Sequence, residues 1–264
     1  MNFGMPYQGS KNKLAKDIIE QMPPAEHFYD LFGGGGAITH CAVLSGKYKY
    51  VHYNEINPLV VKGFEMAING EFNNENRWIS REEFYQLKDT DPYVAICFSF
   101  GNNLVDYLYG KDVEPIKKAL YYSRVFSDNS LIEEQGRLVT LERLKRLRQL
   151  QITNVSYNEI PLQSLDNVKR LRQLQITNVS YNEIQLQSNA VIYCDIPYKN
   201  TKKYCHNEFD YDKFYEWCKG KKNLFVSEYS MPPEFIEVWS KKHKSFMSAT
   251  KPVDSVEKLF TLKE

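Results

Sequence analysis

The stretch Val191-Ile192-Tyr193-Cys194-Asp195-Ile196-Pro197-Tyr198 decides how the rest of the chain is interpreted. Its first four residues are apolar or aromatic and follow polar Ser188-Asn189, a pattern typical of a short buried strand. Pro197 lacks an N–H group and disfavours helical backbone at the residue before it, so the strand must end in a stiff, extended turn. Ligands of open α/β sheets bind at the carboxyl ends of strands. We therefore expect Asp195 and Tyr198 to face a ligand.

The turn after this strand offers groups that suit a planar ring with an exocyclic amino group. Asp195 can accept a hydrogen bond from an amine, and the main-chain carbonyl of Ile196 can accept a second. The ring of Tyr198 gives a flat face on which a heteroaromatic base can stack. An ordinary Asp-x-Pro turn would contain the same residues, so the other motifs of the chain must decide between the two interpretations.

The composition is that of a globular protein without a membrane span or a metal framework. Apolar residues make up 42% of the 264 residues, enough for a packed core, yet no run approaches the roughly 20 apolar residues that cross a bilayer. The first residues lack the charged and then apolar pattern of a signal sequence. The five cysteines form no C-x-x-C pair, and the five histidines are scattered. We expect a cytoplasmic protein with no metal, whose net charge of +1 confines any DNA-binding surface to a local patch.

The segment before the first predicted helix suits the binding of a carboxylate. Tyr7-Gln8-Gly9-Ser10-Lys11 precedes a helical pattern that runs from Leu14 to Met22 and ends at Pro23-Pro24. Ser10 is the predicted N-cap, which would place Lys11 beside free backbone N–H groups. A lysine beside a capped helix without any ligand is an equally good interpretation of these residues.

A strand, a glycine run and a helix follow, and together they form a turn at which a nucleotide can approach the backbone. The predicted strand is His27–Phe32, the run is Gly33-Gly34-Gly35-Gly36, and the helix starts near Ala37. The G-x-G-x-x-G pattern of dinucleotide enzymes does not fit, because position 38 is isoleucine.

A second strand, predicted over Tyr50–Glu55, completes a βαβ unit and ends in an acid. A carboxylate at this point of the unit can accept hydrogen bonds from both ribose hydroxyls of a nucleoside. Asn57-Pro58 then opens the next helix. The order of strand, glycine turn, helix, strand and acid predicts a nucleoside-binding site that includes Glu55.

The pattern changes from about residue 69 to residue 135. Short helical pieces alternate there with Asn, Asp, Pro and Gly, and an aromatic-rich segment runs from Ala95 to Tyr109. The basic and aromatic residues that follow are Lys117, Lys118, Tyr121, Tyr122, Arg124 and Arg137. This mixture suits contacts to bases and phosphates, although a small helical subdomain without a ligand would contain it too. We assign residues 69–138 to an inserted subdomain, and residues 1–68 with 139–264 to the main domain.

Residues 141–164 and 165–188 form a tandem repeat with a shift of 24 residues. Each unit has leucines at every third position followed by a strand-like segment, as in a leucine-rich repeat, but two units are fewer than a stable solenoid needs. We interpret the repeat as the duplication of one helix–strand unit. Tyr181 lies 14 residues before Asp195 and its copy Tyr157 lies 38 residues before it. Because connecting loops in compact α/β units are short, the unit with Tyr181 should occupy the sheet.

The C-terminal part again alternates helices and strands. Predicted in order are a helix from Tyr211 to Cys218, a strand over Asn223–Ser227, a helix over Pro233–Lys242, and a closing hairpin of Ser245–Ala249 with Lys258–Leu262. Together with the strands upstream, this alternation gives an α/β fold class.

Four of these motifs, in this order, resemble those of the Dam-type, D12-class DNA N6-adenine methyltransferases. Tyr7–Lys11 resembles Y-x-G-[SGN]-K, and Asp30–Gly36 resembles D-L-F-x-G-G-G. Asn54–Asn57 resembles [ND]-[DE]-I-N, and Asp195–Tyr198 corresponds to D-P-P-Y. The resemblance runs from Tyr7 to about Leu262. It implies a Rossmann-like, S-adenosylmethionine-dependent methyltransferase sheet with a small, mainly helical target-recognition subdomain.

The resemblance also implies a cofactor, a partner and a set of site residues. S-adenosylmethionine would be the methyl donor, with Tyr7 and Lys11 at its methionine end, and double-stranded DNA would be the substrate. The implied cofactor-binding residues are Tyr7, Lys11, Asp30, Phe32, Gly33, Gly34, Gly35, Glu55 and Tyr181. The implied catalytic residues are Asp195, Ile196, Pro197 and Tyr198, which would hold the amino group and stack on the ring of a flipped adenine.

Two features depart from the family's pattern. Ile196 stands in place of its first proline, and the R-x-N-x-x-G-x-[FY]-N hairpin of GATC-reading members is not present between Asn102 and Gly136. The sequence therefore predicts neither the recognition sequence nor a partner endonuclease, and it leaves the oligomeric state open. Two other functions fit parts of the chain: an amino-group methyltransferase acting on RNA or on a protein glutamine, and a non-catalytic leucine-rich binding module.

Overall fold

The computed structural model describes residues 3–132, 174–199, 209–245 and 253–263. The strands in these ranges are β1 (Ala25–Asp30), β2 (Tyr48–Asn54), β3 (Gln175–Thr177), β4 (Ala190–Asp195), β5 (Leu224–Ser227), β6 (Phe235–Ser245) and β7 (Val253–Leu262). The α-helices are α1 (Ala15–Glu20), α2 (Ala37–Ser45), α3 (Pro58–Asn69), α4 (Arg81–Leu87), α5 (Pro92–Cys97), α6 (Glu114–Phe126) and α7 (Tyr211–Cys218). The α/β fold class predicted from the sequence is thus confirmed.

The described strands form one seven-stranded sheet in the order β3-β2-β1-β4-β5-β7-β6. β3, β2, β1, β4 and β5 run parallel, whereas β7 is antiparallel to both β5 and β6. The direction in which successive strands are added reverses between β1 and β4. At such a switch point the connections diverge and leave a crevice at the carboxyl ends of the strands, which is where ligands bind in open α/β sheets.

β4 is the stretch that decided the sequence interpretation, and it lies in the middle of the sheet. Val191 and Tyr193 pack with the helices α1 and α2 on one face, while Ile192 and Cys194 pack with α7 on the other. A parallel strand covered on both faces needs a continuous apolar run, and that is the pattern observed in the sequence. Asp195 ends the strand and lies at the crevice.

The helix after β2 begins where the sequence predicts. The side chain of Asn57 accepts a hydrogen bond from the N–H group of Leu59, and Pro58 occupies the first helical turn, where its missing N–H is not needed. Gly70 closes the helix in the left-handed conformation, with φ of +72°. The N-cap residue Asn57 lies two residues after Glu55, so the start of α3 fixes the backbone beside that acid.

Ser10 is not the N-cap of the first helix, which corrects the prediction. α1 begins only at Ala15 and has Leu14 as its N-cap residue. The Ser10 hydroxyl instead accepts a hydrogen bond from the N–H group of Asn12 at 3.3 Å. Serine competes in this way with helical hydrogen bonding by closing a local turn. The segment that carries Lys11 is therefore a series of turns that precedes the helix.

The prediction of a helix over Pro233–Lys242 is wrong, because Phe235–Ser245 form the edge strand β6. Its register with β7 shifts between Glu237 and Trp239, as a β-bulge does. The extra residue interrupts the alternation of a strand and so conceals it in the sequence. β6 rather than Ser245–Ala249 is the described hairpin partner of Lys258–Leu262, and residues 246–252 lie outside the described residues.

The second copy of the repeat contributes β3, which pairs in parallel with β2 at the edge of the sheet. The chain-length argument predicts this position for the copy that contains Tyr181. The first copy, with Tyr157, lies outside the described residues, so the predicted packing of the two copies is not tested.

The described part of the predicted inserted subdomain packs on the outer side of α3. Phe84 of α4 and Tyr93 of α5 share one apolar core with Val60 and Phe64 of α3, and Tyr121 of α6 packs against that core. The boundaries at residues 69 and 138 stay a prediction. In the ranges that the structure describes, no helix is long and apolar enough to cross a membrane.

Candidate active site

The glycine turn after β1 lies directly against the N-terminal segment. The N–H group of Met5 donates to the carbonyl of Gly35 at 2.7 Å. A Cβ atom on Gly35 would lie 2.6 Å from the carbonyl oxygen of Met5 and 2.7 Å from the Cβ atom of Tyr7. Gly34 has φ of +47°, and a Cβ atom there would lie 3.0 Å from the ring of Tyr7. Glycine is therefore required for the close approach that brings Tyr7 to the turn.

Glu55 follows β2, and its carboxylate faces the same turn. It is 8% exposed and accepts hydrogen bonds from the N–H groups of Gly34, at 3.0 Å, and Asn57, at 2.9 Å. Burial raises the pKa of Glu55, and the bonds from main-chain N–H groups oppose that rise. A carboxylate has about four lone-pair sites, so these main-chain donors do not use all of its capacity to accept from the hydroxyl groups of a ligand.

Asp30 ends β1 and keeps one buried oxygen without a partner. Its Oδ2 accepts from the N–H group of Thr39 at 3.1 Å and from the hydroxyl of Thr39 at 2.7 Å. Its Oδ1 has no hydrogen-bond donor among the described residues. Burial raises the pKa of Asp30 to about 7, the hydrogen bonds from Thr39 oppose this, and the charges of Asp195 and Glu55 add to it. A buried acceptor without a donor suits a ligand that brings one.

Lys11 and Asp195 form an ion pair at the end of β4. The Nζ atom of Lys11 lies 2.9 Å from Oδ1 of Asp195, and the side chains are 9% and 21% exposed. The same Nζ lies 4.8 Å from the centre of the Tyr198 ring. Burial raises the pKa of Asp195 to about 6, although the Lys11 ammonium lowers it, and the charge of Glu257 adds to the rise. Asp195 therefore already acts as an acceptor for an amine beside an aromatic face.

Two buried glutamates complete this part of the crevice, and the sequence interpretation missed both. Glu228 directly follows β5 and is 1% exposed, while Glu257 lies on β7 and is 3% exposed. Glu228 could have been found by the argument used for Asp195, since it is an acid directly after a short apolar strand. Glu257 shares an inward-facing period of two with Leu259, and a charge at such a position of a strand is a signal.

The predicted catalytic turn, Asp195–Tyr198, is held by side chains at three points. The hydroxyl of Tyr211 donates to the carbonyl of Pro197 at 2.9 Å, and Glu228 accepts from the N–H group of Lys199 at 2.8 Å. The hydroxyl of Tyr198 donates to Oε1 of Glu257. Because Ile196 lacks the ring that the family's first proline would provide, these bonds supply rigidity that the local sequence does not.

The aromatic residues predicted for the cofactor site also lie together. Phe32 and Tyr181 stack with ring centroids 5.4 Å apart, and both contact Phe214 of α7. Ile56, the residue after Glu55, is 62% exposed, and its carbonyl accepts from the side chain of Asn178 in the loop after β3. An exposed isoleucine beside a buried acid offers an apolar surface for a ring, and the sequence interpretation missed it.

The predicted site residues thus fall into two neighbouring groups along the crevice. One group, which we call the cofactor half after its predicted role, contains Tyr7, Asp30, Phe32, Gly33, Gly34, Gly35, Glu55 and Tyr181. The other, which we call the catalytic half after its predicted role, contains Lys11, Asp195, Ile196, Pro197 and Tyr198, together with Glu228 and Glu257. Lys11, predicted at the cofactor's methionine end, is the member that the structure places against the catalytic turn.

The comparison with known proteins covers the residues of the predicted site. Residues 7–232 match the family described as D12 class N6 adenine-specific DNA methyltransferase, and the match covers most of the chain. The chain belongs to this family. A search of curated proteins gave no match. The D12 match extends from the N-terminal tyrosine motif past Tyr198, so it includes every site residue predicted from the sequence, whereas Glu257 lies beyond it.

Membership establishes the reaction class. The protein is an enzyme that methylates N6 of adenine in DNA, and a methyltransferase of this kind requires a donor of the S-adenosylmethionine type. Both functions that the sequence left open, methylation of RNA or protein and leucine-rich binding, are less consistent with this match. The cofactor half of the crevice fits such a donor. The glycine turn lies there beside the buried carboxylate of Glu55, and Asp30 keeps an acceptor oxygen without a partner.

Proposed function

We propose that the protein binds S-adenosylmethionine in the cofactor half of the crevice and methylates N6 of an adenine flipped out of double-stranded DNA. The observation that carries the proposal is the ion pair of Asp195 with the Lys11 ammonium, 2.9 Å apart and beside the ring of Tyr198. The substrate's amino group requires the same two elements: an acceptor for its N–H bond and a flat surface for its ring. An adenine inside a duplex cannot reach a buried carboxylate, so the base has to leave the stack.

In the catalytic half, Asp195 and the carbonyl of Ile196 accept the two hydrogens of the amino group. The lone pair of N6 is delocalised into the ring, so the free amine is a weak nucleophile. Two acceptors arranged for a tetrahedral nitrogen favour the geometry in which the lone pair points at the methyl donor. Positioning of this kind and preorganised acceptors account for large parts of enzymatic rate enhancements. Tyr198, whose hydroxyl is bonded to Glu257, stacks on the ring.

In the cofactor half, Glu55 accepts from the ribose hydroxyls with the lone pairs that Gly34 and Asn57 leave free. Asp30 offers its unpaired Oδ1 to the amino group at the methionine end, and Tyr7 closes over the glycine turn. Phe32 and Tyr181 form an aromatic wall for the adenine ring. S-adenosylmethionine supplies an electrophilic methyl group when it is bound there.

Residues 69–138 form the part that reads the DNA. Support comes from a short hairpin in which Ser99 and Tyr107 pair as an isolated bridge. Phe100 and Val105 project from it with 52% and 53% exposure. The N–H group of Gln8 donates to the carbonyl of Asn102 at 3.2 Å, so this hairpin lies next to the N-terminal motif. An exposed phenylalanine at this point can stack on bases beside the flipped adenine.

A methylation assay tests the proposal. The purified protein is incubated with tritium-labelled S-adenosylmethionine and with duplex DNA, RNA or a protein mixture in turn. Label is expected only in DNA, and digestion to nucleosides followed by mass spectrometry should identify N6-methyladenine. Sequencing of the modified bases then gives the recognition sequence. Label in RNA or in protein glutamine, with none in DNA, would show that the substrate is misassigned.

A further inference from the structure

The Lys11 ammonium is bound to the carboxylate that the substrate's amino group needs, if the function is as proposed above. Its Nζ lies 2.9 Å from Oδ1 of Asp195, and the pair is largely shielded from water. Methylation develops positive charge on the adenine nitrogen that Asp195 is to hold. A second cation on the same carboxylate would oppose that charge, because like charges repel strongly where water is excluded. The ammonium therefore has to leave Asp195 before the methyl group is transferred.

Glu257 is placed to receive it. Its Oε1 lies 3.8 Å from Nζ of Lys11, so a movement of about 1 Å brings the ammonium to the 2.7–2.9 Å of a charge-assisted hydrogen bond. Glu257 is 3% exposed and lies on β7, in a strand that pairs on both sides. It is held further by the hydroxyl of Tyr198. The acceptor is thus fixed, while the long lysine side chain can move.

We infer that Glu257 is a positioning residue, which takes over the Lys11 ammonium when Asp195 turns to the amino group of the substrate. No proton or covalent bond changes place in this step, because the ammonium exchanges one carboxylate partner for another. The carboxylate of Glu257 compensates the charge of Lys11 throughout, so the lysine is never left as an unpaired buried cation. The hydroxyl of Tyr198 is the second partner of Glu257, and this bond keeps the catalytic turn in place beside β7 during the exchange.

The variant Glu257→Gln separates these two tasks. Its amide oxygen still accepts from the Tyr198 hydroxyl, but it no longer balances the ammonium, so Lys11 should stay on Asp195. Glu237→Gln is the matched control, since it neutralises a carboxylate of the same hairpin that pairs with Lys258 at 2.9 Å. Thermal unfolding and the affinity for S-adenosylmethionine show whether either variant has lost its fold or its cofactor site.

The decisive measurement compares two duplexes in the presence of S-adenosylhomocysteine, which allows no reaction. One duplex contains the target adenine, and the other contains purine, which lacks the 6-amino group. The parent should bind the adenine duplex about tenfold more tightly, as a hydrogen bond to a charged group provides. This preference should fall to within about twofold in Glu257→Gln and persist in Glu237→Gln. The effects on duplex pairing cancel, because the same two duplexes are used for every variant.

Each result has a distinct meaning. A parent without the preference for adenine contradicts the role of Asp195 and therefore the proposed function. A parent with the preference and a Glu257→Gln variant that retains it overturns only the role of Glu257. A double-mutant cycle of Lys11→Met and Glu257→Gln on unfolding needs no ligand: the changes in the unfolding equilibrium constant should deviate from additivity by about fivefold or more. Additive effects would equally overturn the inference, because Glu257 would then not interact with the ammonium.

Discussion

The two halves of the crevice hold their carboxylates in different ways. In the cofactor half, Glu55 is fixed by the main-chain N–H groups of Gly34 and Asn57. In the catalytic half, Asp195 is bound by the side chain of Lys11. Main-chain donors belong to the turn and the helix end and move only with them, whereas a lysine side chain can exchange partners. We infer that the cofactor half is preformed and that the catalytic half rearranges when the substrate arrives.

Asn54 shows how far the preformed half is secured. Its side-chain amide donates to the carbonyls of Leu31 and Val179, both at 3.0 Å. Its oxygen accepts from the hydroxyl of Thr177 at 2.8 Å. One side chain therefore ties together the ends of β1, β2 and β3, and Glu55 follows it directly. In the catalytic half, by contrast, Lys11 and Glu257 come from opposite ends of the chain.

The largest expected effect separates the two halves by function. Asp195→Ala should lower the rate of methyl transfer by about 10²–10³, the scale found when a positioned hydrogen-bonding group is lost. The affinity for S-adenosylmethionine should change little, because Glu55 and the glycine turn are untouched. Single-turnover methylation measures the first quantity and calorimetric titration the second. A rate within about threefold of the parent would refute the assignment of Asp195.

The converse experiment addresses the cofactor half. Glu55→Ala removes the acceptor for two ribose hydroxyls, and hydrogen bonds to a charged group contribute about 1.5–3 kcal/mol. The affinity for S-adenosylmethionine should therefore fall about 10- to 100-fold in calorimetric titration. Glu228→Gln is the control from the other half, and its affinity for the cofactor should be that of the parent. An unchanged affinity in Glu55→Ala would mean that the nucleoside lies elsewhere.

The buried carboxyl of Asp30 gives a prediction on stability against pH. Its folded-state pKa is raised to about 7 from an ordinary value of 3.8. The folded state then binds more protons than the unfolded state between these values, so the contribution of Asp30 is fully present below about pH 4 and is lost as the pH rises through about 7. Asp30→Asn cannot ionise. It should be about 4 kcal/mol more stable than the parent at pH 8 and should lose that advantage at pH 4.

Urea unfolding at the two pH values measures this difference. The Asn oxygen can still accept both hydrogen bonds from Thr39, so the local structure should persist. Asp30→Asn should also bind S-adenosylmethionine more weakly, because its amide NH₂ group replaces the free acceptor. A variant equally destabilised at both pH values would show that Asp30 serves packing and not the site.

The sequence predicts the preformed half better than the other half. Glu55, the glycine turn and Asn57 lie within 25 residues, and the bonds between them are those of a local βαβ unit. Such units have their own sequence signature. Glu257 is a partner of Lys11, 246 residues before it, and no local pattern connects the two. The pairing depends on the antiparallel placement of β7 beside β5, which only the complete sheet determines.

The errors in the fold have equally specific causes. The bulge at Glu237 and Trp239 breaks the period of two in β6, so a strand was predicted as a helix. Serine is a residue type that favours N-caps, but the Ser10 hydroxyl accepts from the N–H group of Asn12 and closes a turn that precedes α1. The strand β4 is predicted correctly, because a strand that is buried on both faces requires the continuous run of apolar residues that the sequence shows.

The smallest expected effect concerns the aromatic wall of the cofactor half. Tyr181 stacks on Phe32, and a ring stacked on an aromatic side chain gains about 0.5–1.5 kcal/mol beyond its buried area. Tyr181→Ala should thus weaken the binding of S-adenosylmethionine by about 2- to 10-fold. Ile56→Ala tests the second apolar surface at the site and should have an effect of similar size, since its side chain is 62% exposed in the described structure.

Tyr157→Ala is the matched control for this last change, because Tyr157 and Tyr181 share the local sequence Asn-Val-Ser-Tyr-Asn-Glu-Ile. Among the described residues, the second copy provides the strand beside β2, and its tyrosine stacks on Phe32. The affinity for S-adenosylmethionine should therefore depend on Tyr181 and not on Tyr157. If calorimetric titration found the reverse, the first copy would form the aromatic wall of the cofactor half. The second copy would then be the inserted unit that separates this wall from Asp195 in the sequence.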